Sequence, residues 1–147
     1  MGYWKSFKDK GAAARQFSFK DWLVILEAWL AQEYFNLALR FVSFEKLLAR
    51  SLPRSQAFLF PGQFLPAAQR IQRLANAAAR LHLPPATCLR RSLALGWMLN
   101  RRGIPAQLSL GVLMGAAGLQ AHAWLEINGQ PLGEPEAITE NFQKLSQ

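Results

Sequence analysis

The chain holds one cysteine and two histidines, so its side chains offer few routes to nucleophilic chemistry. Cys88 follows the pair Pro84-Pro85 and the hydroxyl residue Thr87, and it opens a helical pattern that runs to about Arg102, where Gly103 and Pro105 end it. The spacing sets Cys88 at a helix N-terminus. There the positive end of the macrodipole, with Arg90 and Arg91 close by, favours a thiolate. A thiolate that attacks an acyl carbon needs a base within hydrogen-bond reach, and His122, on the polar face of an alternating run, is the leading candidate. A third group should orient the imidazole. Glu134 on the returning strand leads, and Glu126, four residues after His122 on the same strand face, is the alternative. The Cys88 backbone N–H is the expected oxyanion donor, since free N–H groups point out of a helix start. On residue types alone a blander reading stays open, because a lone cysteine also serves as a small buried hydrophobe and a strand histidine as a structural group.

Other chemistries find less support. His82 reads as a helix-end histidine beside the macrodipole. One cysteine with two distant histidines does not make a metal site, and no Gly-x-Ser-x-Gly elbow is present. No cofactor is expected: Gly111 to Gly118 lacks the Lys-Ser or Lys-Thr ending of a phosphate cradle, which argues against ATP.

The elements that must position these groups follow from periodicity. The 147 residues suit one domain, with a helical part over residues 1–80 and a core over residues 81–147. After a basic arm, Ser18 with Asp21 three residues on predicts a helix start, and the helical pattern runs to about Arg50 with a break near Val42-Ser43. Leu23, Leu26, Leu30, Leu37 and Phe41 suit one apolar face, and the surrounding aromatics predict burial on more than one side, against the core and against a partner. Pro53, Pro61, Gly62 and Pro66 mark a connection. A shorter helix then has Ile71, Leu74, Ala75 and Ala78 inward and Arg70, Arg73 and Arg80 outward. Beyond Pro105 the period becomes two: Leu108 to Met114, a turn near Gly115 and Gly118, Gln120 to Ile127, and a third strand from the Asn128-Gly129 turn toward Glu134. The predicted class is α+β, helices first and a small antiparallel sheet after.

The net charge of +8 is unevenly placed: residues 51–102 carry eight arginines and no acid, so a positive field should surround Cys88. Nucleic acid is not the expected partner, since the arginines are spread along helices without a nucleic-acid motif. The stretch Trp22 to Phe44 is too interrupted by polar residues to span a bilayer, and surface contact with a membrane is not expected. With no secretion signal and no cysteine pair, the expected location is cytoplasmic.

The segments Cys88-Leu89-Arg90-Arg91-Ser92-Leu93-Ala94-Leu95, Asn100-Arg101-Arg102-Gly103-Ile104-Pro105-Ala106 and Ala121-His122-Ala123-Trp124-Leu125-Glu126, with Gly129, resemble the lasso-peptide leader peptidases, the B proteins of lasso-peptide maturation, within the transglutaminase-like superfamily. The resemblance implies a papain-like core with the nucleophile helix packed on the sheet. It further implies a Cys-His-acid triad of Cys88, His122 and Glu134 that releases the leader from a ribosomally made precursor. It is to the stand-alone peptidase half of that family, which implies two partners besides the precursor: a separate small leader-recognition protein and an ATP-dependent lasso cyclase acting afterwards. Acyl transfer or deamidation at glutamine on the same triad, and a non-catalytic scaffold of the same fold, are the alternatives.

The hairpin after His122 carries a stereochemical demand. A two-residue Asn128-Gly129 turn pairs Ile127 with Gln130 and by counting sets Glu134 opposite Ala123, on the wrong face for His122. A three-residue loop of Ile127, Asn128 and Gly129 with a bulge would set Glu134 opposite His122. The expectation is therefore that bulge or, failing it, a kink at Gly133.

Overall fold

The computed structural model describes residues 17–52, 64–82, 85–116, 118–134 and 141–145. The basic arm over residues 1–16 and the connection over residues 53–63 lie outside the described residues. Helix α1 (Phe19–Phe41) begins where the sequence predicts: the Ser18 hydroxyl accepts from the Asp21 N–H at 3.2 Å while the Asp21 carboxylate accepts from the Ser18 N–H at 3.0 Å. This reciprocal cap is worth about 1 kcal/mol. The chain then turns extended at Val42 and Ser43, and helix α2 (Phe44–Ser51) follows.

The apolar leucine face read from the spacing is not the face that α1 turns to the core. Leu23, Leu26, Leu30 and Leu37 are all more than half exposed, whereas Ile25, Ala28, Ala31, Phe35 and Ala38 are buried. The reason lies in the partner helix α3 (Leu65–Ala79), which presents Ala68, Ala75 and Ala78, each nearly or fully buried. Two small-residue faces let the helices approach closely enough for the Gln32 amide to donate to the Ala75 carbonyl at 3.1 Å. Larger leucines would hold them apart. Nor do the aromatics surround a buried helix, since Trp22 and Tyr34 are exposed. Arg70 of α3 ties the start of α1 by an ion pair with Asp21 at 2.7 Å. None of the described helices is long and apolar enough to cross a membrane.

Helix α4 (Cys88–Asn100) lies between these helices and a sheet, which is why Leu93, Ala94, Met98 and Leu99 are almost fully buried. The sheet comprises β1 (Gln107–Gly115), β2 (Gly118–Ile127), β3 (Gln130–Pro131) and β4 (Gln143–Lys144) in the antiparallel order β3-β2-β1-β4. Ala123, Leu125 and Ile127 on β2 and Leu108 on β1 supply its buried inward face. The architecture is α+β, as periodicity predicts. The short β4, which periodicity does not reveal, carries Phe142 just before it across the outer face, where that ring meets Trp124 and His122.

Gly111 makes that cover fit. A Cβ there would stand 2.8 Å from both the Phe142 Cβ and the Trp124 ring. Gly111→Val should therefore destabilise the fold by about 1–3 kcal/mol in urea unfolding, through overpacking. Gly115→Ala, whose nearest outside atom would be 3.8 Å away, should change stability far less. A second expectation concerns acid. The Arg70 hydrogen bond, then those from Ser18, hold the Asp21 carboxyl below its ordinary value of 3.8. A carboxyl depressed on folding stabilises above its unfolded value and loses that contribution as pH falls through the folded one. Wild type should thus lose more stability than Asp21→Asn as pH is lowered below about 4, read as the pH dependence of urea midpoints.

Candidate active site

Cys88 is the first residue of α4, and Thr87 caps that helix by accepting the Arg90 N–H on its hydroxyl at 3.3 Å. The N–H groups of Cys88 and Leu89 precede any intrahelical acceptor, so they are the free donors of this helix start. What brings Cys88 to the sheet is a register between α4 and β2. The Ser92 hydroxyl donates to the Ala123 carbonyl at 3.0 Å, and one turn later Gly96 faces Leu125. Helix and strand therefore run in the same direction, four helical residues advancing about 6 Å and two strand residues about 6.6 Å. One step back from the Ser92–Ala123 bond, Cys88 comes level with Ala121 and His122. Both Cys88 and His122 line one small cleft of about 50 Å³, with Glu134 at its wall.

His122 is held from behind. Its ring stacks on Trp124 at 5.8 Å and 21° and meets Phe142 at 5.5 Å. Its Nε2 stands 3.5 Å from the Glu134 Oε1 and has no hydrogen-bond partner among the described residues. That separation is an ion-pair distance, a few tenths of an ångström beyond an N–H···O bond. Nδ1 is the ring's remaining nitrogen.

Glu134 reaches His122 by the second of the two expected routes. The turn is the regular two-residue one: Ile127 pairs with Gln130, and Asn128 and Gly129 take φ of 52° and 78°. Both positive values fit a type I′ turn, so the three-residue bulge is not formed. The third strand also stops early, after Pro131, whose missing N–H suits a strand edge and cannot extend a ladder. Leu132 still donates to the Leu125 carbonyl at 2.8 Å, and Gly133 then turns the chain at φ 69°. That kink takes Glu134 out of the register that would point it at Ala123's face.

Helix α3 supplies residues that the sequence reading does not single out. The Gln72 amide donates to the Leu132 carbonyl at 2.8 Å and packs so close to Gly133 that a Cβ there would overlap it. One turn on, the Asn76 side-chain oxygen accepts from Arg91 at 2.6 Å. Gln72 and Asn76 both line the cleft, as does Gln32, whose buried Oε1 lacks a partner among the described residues. The available signal is the i, i+4 spacing of Gln72 and Asn76 in an Ala-rich helix.

The alternatives lie elsewhere. Glu126 is buried, accepting from the Trp124 indole at 2.8 Å and pairing with Lys144 at 2.6 Å. His82 is buried against Trp29 and bonded to Glu33 at 2.6 Å. Burial raises the Glu33 carboxyl, but hydrogen bonds from His82 and Asn36 and the charges of His82 and Arg90 outweigh it and leave the group below its ordinary value. A larger groove of about 640 Å³ runs along the exposed leucines of α1 and holds none of Cys88, His122 and Glu134. The small cleft is the better candidate because only it joins a thiol, an imidazole and a carboxylate, the set that nucleophilic acyl chemistry uses.

If Gln72 holds the kink, Gln72→Ala should cost about 1–3 kcal/mol by leaving a carbonyl without its donor. Hydrogen exchange should show weakened protection of the Leu132 amide in that variant and unchanged protection in Asn76→Ala. No curated protein and no solved structure matches the chain. A family model described as the transglutaminase-like superfamily matches residues 28–147, from within α1 through the whole sheet. With a cysteine opening a buried helix and a histidine on the strand beside it, the chain belongs to the transglutaminase-like superfamily.

Proposed function

We propose that the protein is a cysteine peptidase in which Cys88 is the nucleophile, His122 the general base and acid, and Glu134 the group that orients the imidazole. The observation that carries this reading is the convergence of all three on one cleft, with the Glu134 carboxylate 3.5 Å from the His122 Nε2. A carboxylate on Nε2 favours the tautomer with a proton there and leaves Nδ1 as the base. His122 takes the Cys88 proton as the sulfur bonds to the substrate carbonyl carbon, and the oxygen's developing charge meets the free N–H groups at the start of α4. The resulting imidazolium protonates the leaving amine as the C–N bond breaks, giving a thioester. Water then attacks that thioester while His122 accepts its proton, and the carboxylic acid leaves as Cys88 regains its thiol.

The substrate in this reading is the precursor of a lasso peptide, cut between leader and core. A separate leader-recognition protein delivers it, and an ATP-dependent cyclase consumes the product. This finer assignment rests on the resemblance of the Cys88 and His122 segments. Incubation with a precursor and its recognition protein should give two fragments in mass spectrometry. An intact precursor about one dalton heavier would instead mean deamidation. Cys88→Ala and His122→Ala should each lower cleavage on the order of 10⁴-fold or more, and the double variant should be no worse than either, because the pair acts as one unit. Full activity in either variant overturns the assignment. Omitting the recognition protein should slow cleavage through the lost effective concentration of leader.

A further inference from the structure

Beside the cleft lies a second depression of about 360 Å³, lined by Asn76, Ala79, Arg80, Pro85, Ala86 and Arg91. It is continuous with the Cys88 cleft, since Asn76 and Arg91 belong to both. Arg91 follows Cys88 by three residues in α4, a spacing that makes the two side chains surface neighbours with Cβ atoms about 5–6 Å apart. Arg80 closes the far wall at the end of α3, one turn beyond Asn76.

Arg70 pairs with Asp21 and Arg102 with Glu27, yet among the described residues neither Arg80 nor Arg91 meets an acid. The bond from Arg91 to Asn76, at 2.6 Å, fixes the guanidinium without cancelling its charge. The remaining wall, Ala79, Pro85 and Ala86, is small and largely apolar, which leaves room for a side-chain stem between the two cations. Both guanidinium groups are exposed at the rim, so desolvation does not oppose binding of an anion.

We propose that this depression is a subsite for a substrate carboxylate, so that the enzyme prefers peptides with an acidic group close to the bond that Cys88 attacks. The proposal rests on the reading of Cys88 as the nucleophile of the cleft. The carboxylate could belong to an aspartate or glutamate side chain or to a peptide C-terminus, and both present the same planar anion to a guanidinium.

The single cysteine is a built-in probe. Alkylation of Cys88 in the full chain by iodoacetate and by iodoacetamide, at low ionic strength, compares an anionic with a neutral reagent of similar size. The ratio of the two rates should exceed that of N-acetylcysteine amide by about tenfold, fall about threefold in Arg80→Gln and in Arg91→Gln, and approach the reference in 0.5 M salt. Protection from iodoacetamide then identifies the source of the carboxylate. The blocked peptide Ac-Ala-Ala-Glu-Ala-Ala-NH₂ should protect better than its Gln counterpart if side chains are read. A free-acid Gln peptide protecting better than its amide points to the terminus. A ratio equal to the reference, or one that neither arginine variant alters, overturns the subsite while leaving the nucleophile intact. A Cys88 that takes neither reagent overturns both. Ready alkylation with the expected ratio but no cleavage of any precursor would instead sink the peptidase reading and keep the carboxylate site.

Discussion

A single hydrogen bond, from the Ser92 hydroxyl to the Ala123 carbonyl, fixes how the helix bearing Cys88 lies against the strand bearing His122. It is buried, and both groups belong to regular elements, the hydroxyl to a helix and the carbonyl to a strand. A buried hydroxyl and carbonyl left apart would each bear a desolvation penalty, so any slide of helix along strand is opposed at this point. Because helix and strand advance by nearly equal lengths over four and two residues, one anchored pair sets the level of the next. Cys88 and His122 share one cleft because Ser92 and Ala123 meet.

Helix α3 does for Glu134 what Ser92 does for His122. Its polar side chains stand a turn apart on the face that borders the cleft: Gln72 on the Leu132 carbonyl, Asn76 on Arg91, Arg80 beyond. The opposite commitment, alanines against α1, draws the helix tightly into the molecule and leaves little freedom to move those polar groups. The same helix therefore sets the Glu134 end of the cleft and the cationic depression at its other side. A shift of α3 would be felt at both.

Local signals in the chain made most of the elements legible. The Ser18–Asp21 cap, the Val42-Ser43 break, the Thr87 cap and the Asn128-Gly129 turn are each short-range chemistry, satisfied within a few residues, and each is present in the structure. Legibility failed where the answer depended on a distant partner. Which face of α1 turns inward is decided by the alanines of α3, more than thirty residues away, so the leucine stripe misleads. The sequence pattern overextends the third strand because alternation continues past Pro131, whereas pairing does not. The returning strand carries Glu134, but the regular turn alone points it away. Its approach to His122 depends on Gly133 and on Gln72, a contact sixty residues apart in sequence. The two-residue β4 has too few residues to show any period at all.

Two carboxylates share the side of the sheet on which His122 lies, and their surroundings separate what each can do. Glu126 is buried and already accepts from the Trp124 indole and the Lys144 ammonium, so its charge is compensated before any reaction begins. Those bonds hold Trp124 flat behind the His122 ring and bind β4 to the sheet, a role that needs the carboxylate to stay still. Glu134 is partly exposed, and His122 is its one ionic partner among the described residues. A carboxylate in that position has attraction to spare when the imidazole gains a proton, because no other cation of the described residues pairs with it. Closing the 3.5 Å separation to a charge-assisted bond of about 2.8 Å would strengthen that attraction. Position in the strand would favour Glu126, which sits in regular register with His122; the distribution of existing partners favours Glu134. Electrostatic availability, rather than strand periodicity, is what distinguishes the acid that can respond to His122 from the acid that supports it.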